Sequence, residues 1–477
     1  MELKKLLCCI LLTVGCTLPG YAQDQPWARY ADVEAGIEQP SFPERNFLIT
    51  DFGARPDDSL ALCHEAIDRA ILACSLAGGG HVVVPQGTFY TGPITLKSNV
   101  DLHLEKGACL KFSTDKALYT PTVLTRWEGV DCYNLRPLIY ARGETNLAIT
   151  GQGTIDGQAD NDSWWHMCGN AERFGWREGM ISAARGGRER LLGFGETQTP
   201  VALRQMTLED GLRPQLINLC HCTRVLIEGV TIKDSPFWTI HPVLCDNVIV
   251  RGVTIDSHFP NNDGCDPEGT SNVLIERCTF RTGDDAIAIK SGRDTDGRSI
   301  GRPSRNIVIR DCIFHSECNG LCIGSEMSGG ASDVYMSNIE IGTVKNALYF
   351  KSNRDRGGYI RRVFVDSITV ERAKGAILRF ETNYFGFRGG NYQALYEDFH
   401  ISHVQAGKAD HYAVFMDGNE VYPIRNVRIH DFHVGEAPHA HYLKNTEGVR
   451  FTSSSVNGTP LPEQPEESPE RVTLEVY

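Results

Sequence analysis

Beyond its N-terminal leader, this 477-residue chain has no run of 18 apolar residues, so it offers no helical membrane span. It also has no excess of positive charge. Lys and Arg number 47 against 60 Asp and Glu, a net charge of −13, which argues against nucleic acid as a partner. An acidic polymer would be repelled at long range, so an acidic substrate would need a local basic site. Helical 3.6-residue periodicity is missing outside one short stretch, and so is the LxxLxLxxN ladder of leucine-rich repeats. Cys220-His-Cys222 has no second pair at finger-like spacing, which weighs against zinc. No metal or other cofactor is expected.

The chain opens as an export signal. Lys4 and Lys5 precede LLCCILLTV, and Gly20-Tyr21-Ala22 offers a small-x-small cleavage site. Cleavage near Ala22 is favoured over lipid attachment at Cys16, because Thr13 suits the lipid signal poorly. The expected product is exported, periplasmic or secreted. Thirteen of the sixteen cysteines follow this leader, an odd number, so at least one is unpaired or pairs between chains. Cys278, Cys312 and Cys322 sit inside apolar strand patterns, where they read as buried small hydrophobes.

A loose repeat organises the rest. RVLIEGVTI (224–232), NVIVRGVTI (247–255), NVLIERCTF (272–280), NIVIRDCIF (306–314) and DVYMSNIEI (333–341) share one pattern. A turn residue is followed by alternating apolar residues, a polar corner and a second apolar pair. Short strands joined by tight corners at intervals of 23 to 34 residues predict a stacked parallel β-helix. The spacing of Leu60, Cys63, Ile67, Ala70, Ile71 and Cys74 predicts a helix over 59–76, capped by Asp58 or Ser59 and stopped by Gly78-Gly79-Gly80. Such a helix would cover the open N-terminal end. Residues 158–213 interrupt the repeat and read as a large loop or small helical excursion near the site. The expected domains are a signal at 1–22, one β-helix over 23–456, and a weakly ordered Pro- and Glu-rich tail at 457–477.

Two runs carry the chemistry, NNDGCDPEG at 261–269 and TGDDAIAIKSG at 282–292. Asp263 and Asp284 stand 21 positions apart, about one coil, so they could lie side by side on strands about 4.8 Å apart. Clustered carboxylates suit acid/base cleavage of a glycosidic bond. Asp284 and Asp285 are neighbours, so both ionising freely is unfavourable, and that raises the pKa a general acid needs. A regular strand would point them to opposite faces, whereas Gly283 permits a bend. Lys290, Arg293 and Lys351 could bind a carboxylate, and Arg354 and Arg356 could line a rim. His241 is a further site candidate. Trp238 reads as core.

These runs identify a resemblance to glycoside hydrolase family 28, the polygalacturonase family, over about residues 45–440. The family's NTD motif stands here as Asn261-Asn262-Asp263 and its DD motif as Asp284-Asp285. SPFWTIHP (235–242), KSGRDTDGR (290–298), IGSEMSGG (323–330) and ITDFGA (49–54) are similar to family segments. The resemblance implies a right-handed β-helix and an inverting glycosidase. It makes Asp284 the general acid, with Asp263 and Asp285 holding and activating water. The implied partner is an acidic plant polysaccharide of the pectin type, attacked by a monomer, and IGSEMSGG resembles the exo-acting branch. Two positions depart from the family. GHG is replaced by Cys318-Asn319-Gly320, and R-x-K by Tyr349-Phe350-Lys351. Tyr349 in place of Arg suggests a less acidic sugar beside the cleaved bond, as in rhamnogalacturonan. Asn319 leaves open retained hydrolysis, a His from elsewhere such as His258 or His315, or a dead binding relative. A polysaccharide lyase is the third alternative.

Overall fold

The repeat pattern becomes a ladder of rungs in register. Val225 pairs with Val248, and the column continues through Val273, Ile307, Val334, Val363, Phe399 and Val427, every pairing parallel. The structure is a computed structural model, and it describes residues 27–468. The signal at 1–22 lies outside those residues. The chain folds as a right-handed parallel β-helix. Rungs are entered through left-handed corners, with φ of 57° at Asn247, 57° at Asn272, 56° at Asn306 and 57° at Asp333. Asn and Asp tolerate this region better than other side chains, which explains the turn residue that opens each repeat. The corners also bond to each other: Asn306 Nδ2 donates to Asn272 Oδ1 at 2.9 Å, and Asn272 Nδ2 to Asp246 Oδ1 at 2.8 Å.

The apolar residues of each rung point inward and form one long core. Cysteines belong to it. All thirteen described cysteines are free thiols. Two pairs stack on neighbouring rungs, with Cys222 N donating to Cys245 Sγ at 3.3 Å and Cys278 N to Cys312 Sγ at 3.4 Å.

The narrow face of the helix is discontinuous, and this positions the site. Strands from Ile94–Thr95 to Ile240–Val243 form one short sheet, and strands from Ile287–Ile289 to His439–Lys444 form another. Between them lies segment 265–268, joined by isolated bridges from Cys265 to Ile240 and Ile287 and from Glu268 to Val243 and Lys290. The run NNDGCDPEG therefore falls in an irregular rung, where turns replace a strand.

The helix expected over 59–76 is His64–Leu76, five residues shorter at its start, and a short helix, Tyr30–Ala35, precedes it. Asp58 accepts from Leu60 N at 3.1 Å and Cys63 N bonds to Tyr90 O at 2.8 Å, so the chain before His64 is held as a turn. Ala66, Ile67, Ala70, Ile71 and Cys74 are its buried face. The insertion 158–213 is a set of short helices, the longest Gly187–Glu196. Leu191, Met206 and Leu212 pack with Trp127, Phe237 and Trp238 in a small core of their own. The tail departs from expectation as far as it is described. Thr459–Pro460 pairs with Ser455–Val456, and Ser468 N donates to Leu443 O at 2.8 Å. Backbone pairing, which composition does not register, holds it to the last coils.

Candidate active site

Two turns on adjacent coils bring the three aspartates together. Each depends on a glycine at a close approach. A Cβ on Gly283 would collide with the Phe259 backbone, and one on Gly264 with Phe280 and the Ala286 carbonyl. Gly264 N donates to Asp285 O at 3.0 Å, which locks one turn on the other. Asp263, Asp284 and Asp285 all line one cavity of about 320 Å³. Gly283 thus allows what a regular strand forbids, consecutive aspartates facing one space.

Their surroundings differ, and so do their charges. Asp284 Oδ2 accepts from Asn261 N at 2.9 Å and Oδ1 from Asp285 N at 3.0 Å. Burial, then the adjacent Asp285 charge, push its carboxyl above the usual range. Asp285 is the opposite case. Lys351 Nζ lies 3.2 Å from its Oδ2, and Asn319 Nδ2 donates to its Oδ1 at 2.6 Å. Burial would raise it, but Lys351, Lys290 and Asn319 outweigh that and hold it below the usual range. The two neighbours are thus pushed in opposite directions, Asp284 up and Asp285 down. Asp263 is buried and raised, by desolvation first and by Asp266 and Asp284 next.

A network of ion pairs rings these acids. Lys290 lies over the Trp238 ring at 4.5 Å and within 3.8 Å of Asp263. Glu326, 3.5 Å from Lys290, is held well below the usual carboxylate range despite burial, by Lys290, Arg293 and Arg356. Arg293 reaches Glu128 at 2.6 Å, and Glu128 also takes Arg188 at 2.6 Å. Arg356 and Arg388 share Asp294, at 2.6 and 2.8 Å. Glu128 stands at the tip of the hairpin Val123–Trp127 and Val130–Asn134, Arg188 on Gly187–Glu196, and Arg388 in the segment after Ala376–Glu381. Three excursions from the helix therefore wall the cavity.

Of the residues singled out in the sequence, Asn261, Asp263, Asp284, Asp285, Lys290, Arg293, Lys351 and Arg356 line the cavity, whereas Arg354 does not. Asn319 does not line it, but it supports Asp285 directly. Its own Oδ1 accepts from Asn346 Nδ2 at 2.8 Å, so its orientation is fixed. His241 is fully buried behind Trp238, bonded to Glu268 at 2.8 Å and to Asn218 at 3.0 Å. It is a structural histidine. Tyr349 turns away too. Its hydroxyl donates to Glu381 Oε2 at 2.5 Å, and Arg379 from the next rung stacks on its ring at 5.0 Å. His258 is half-exposed between Asp256 and Glu317, and neither it nor His315 lines the cavity, so neither replaces the family histidine. Trp238, read as core, is both buried and part of the cavity wall.

The sequence reading missed Glu128, Arg188, Tyr384, Phe385, Arg388 and Glu326 as site residues. Only Glu326 carried a signal, since it sits in the family-like IGSEMSGG. Arg213 was missed as well. It is buried and donates to Asn261 Oδ1 at 2.8 Å, fixing the turn whose N–H meets Asp284. Among the described residues, one group brings three metal-type donors within 4.8 Å: Asp284, Asp285 and Cys318. Lys351 already occupies Asp285, and burial pushes the Cys318 thiol well up, so the set is poorly suited to a cation.

The model of glycosyl hydrolases family 28 matches residues 202–455. A hyperthermoactive exopolygalacturonase from Thermotoga maritima superposes with a TM-score of 0.86 and 39% identity, over 90% of this chain and 95% of that one. A probable polygalacturonase of Vitis vinifera is 28% identical over 89% of this chain and 82% of its own length. An exo-poly-alpha-D-galacturonosidase of Dickeya chrysanthemi is 27% identical over 69% of this chain and 56% of its own length, so the chain spans little more than half of that relative. The fold and the paired carboxylates define a glycosidase. The chain belongs to glycosyl hydrolases family 28.

Proposed function

We propose that this glycosidase removes terminal galacturonate from polygalacturonate by inversion. Asp284 gives its proton to the leaving oxygen, while Asp285 and Asp263 hold and activate water on the opposite face. The observation that carries this reading is the division of one adjacent pair: Asp284 raised by burial and its neighbour, Asp285 lowered by Lys351 and Asn319. A lyase needs a basic side chain as base, whereas Lys290 and Lys351 are both held protonated by surrounding carboxylates. A non-catalytic relative is not favoured, because Asn319 keeps Asp285 bonded and ionised without the family histidine.

An acidic sugar fits the lining. Arg188, Lys290, Arg293, Lys351, Arg356 and Arg388 face Glu128, Asp263, Asp284, Asp285 and Glu326. Six cations thus face five carboxyl groups, against the net −13 of the whole chain. A rhamnogalacturonan-type substrate loses its support, since Tyr349 turns its hydroxyl to Glu381 rather than to the cavity. The end-acting mode is supported by the walls and by the volume, near the lower limit of small-molecule sites, about 300–1,000 Å³. The leader ending near Ala22 supports export.

Product analysis on polygalacturonate tests this reading. Galacturonate alone should appear from the first time points, with viscosity falling slowly. An early ladder of oligomers would overturn the end-acting mode, and an ultraviolet-absorbing unsaturated product would overturn hydrolysis.

A further inference from the structure

Asp266 is a carboxylate that the three-aspartate account leaves unused. It stands three residues beyond Asp263, is fully buried, and neither of its oxygens has a hydrogen-bond donor. One ammonium serves three carboxylates here. Lys290 Nζ is 3.8 Å from Asp263, 3.6 Å from Asp266 and 3.5 Å from Glu326. Other charges nearby do not restore the balance. Lys351 is committed to Asp285, and Glu268 to His241 and Arg126. Asp284 adds another carboxyl group on the adjacent turn. Glu326 has Arg293 and Arg356 besides Lys290, and Asp263 reaches the cavity. Asp266 has neither. The register places Ala288 beside it on the next rung, a side chain with no polar group to offer. Like charges this close and this buried do not all ionise. The Asp263 carboxyl is within hydrogen-bonding reach of Asp266, and Asp263 Oδ1 has no other protein partner.

We propose that Asp266 and Asp263 share one proton, and that the hydrogen bond between the two carboxyls orients Asp263 toward the cavity. Asp266 is then a positioning residue, acting through Asp263 and resting on the role given to Asp263 above. Burial drives this acid up to about 8, against the opposing pull of Lys290. Asp263 is raised as well, by burial first and by Asp266 next, so the proton belongs to the pair.

Asp266→Asn keeps a donor in the same place, whereas Asp266→Ala removes it. Exchanging one hydrogen bond for another should lower kcat by about tenfold at most. Losing the orientation of Asp263 should lower kcat by about 100-fold with little change in KM. Infrared spectra at neutral pH supply a readout independent of activity: a protonated-carboxyl band of the native enzyme should be missing in Asp266→Asn. Melting gives another. The pair binds its proton more tightly folded than unfolded, so stability should fall as pH rises from the ordinary carboxylate range toward 8. That fall should be shallower in Asp266→Asn. An unchanged infrared band, or equal kcat losses in the two variants, would overturn the proposal. If Asp266→Ala does not fold, the band and the melting slope of Asp266→Asn decide. A missing band together with a fully active Asp263→Asn would instead overturn the role of Asp263.

Discussion

The coils over 331–436 and the coils over 235–293 use the same repeat for opposite ends. In the first region the long strands run 13 to 16 residues, Ile360, Val363, Val365 and Ile368 point inward, and each long strand pairs in register with the next. In the second, strands of three to six residues are separated by turns, and one rung is reduced to isolated bridges. Asp263, Asp266, Asp285 and Lys290 are buried where the ladder is broken, and Lys351 and Arg356 reach the same cavity from the regular coils. The regular region supplies stability, and the irregular one spends it on holding carboxylates and ammonium groups out of water. Substitutions in the two regions should therefore separate activity from stability.

The largest expected effect on activity is at Asp284. Asp284→Asn removes the proton donor and should lower kcat by about 10² to 10⁴-fold while the melting temperature holds or rises. A fall in both would merge the two regions and weaken the comparison. Phe432→Ala is the counterpart in the regular coils. Phe432 is fully buried in Ile424–Glu436, so its loss should cost about 3–5 kcal/mol in denaturant unfolding. The kcat of molecules that remain folded should be unchanged.

Asn319→Ala sharpens the comparison from the site side. Asp285 loses a charge-assisted bond, worth about 1.5–3 kcal/mol. Its pKa rises, so the acid limb of the kcat profile should move to higher pH. Tyr349→Phe should do least, below about tenfold in KM, because the hydroxyl it removes serves Glu381, which Arg379 also holds at 3.1 Å. A large change in KM with Tyr349→Phe would return that residue to the substrate.

The β-helix was legible because its signal is local. Each repeat carries its own corner residue and its own apolar alternation, and Val225, Val248 and Val273 align in the sequence as they do in space. The aspartates were legible because two Gly-rich turns one coil apart are a local pattern as well. The walls were not. Arg293 meets Glu128 from 165 positions away, and Arg388 meets Asp294 from 94. No periodicity links an insertion to a hairpin tip, so nothing in the sequence pointed to Glu128, Arg188 or Arg388. Tyr349 and His241 were misread for a related reason. Their strand positions were right, but the partners that claim them, Glu381 and Glu268, lie on other rungs.

The central claim is that Asp284 acts as acid while water attacks from the side of Asp285 and Asp263. Proton nuclear magnetic resonance of the first product released from an α-linked galacturonide oligomer tests it most directly. The account predicts the β anomer first, with the α anomer growing in only by mutarotation. The α anomer appearing first would contradict it, since that outcome requires a covalent intermediate on one of these aspartates.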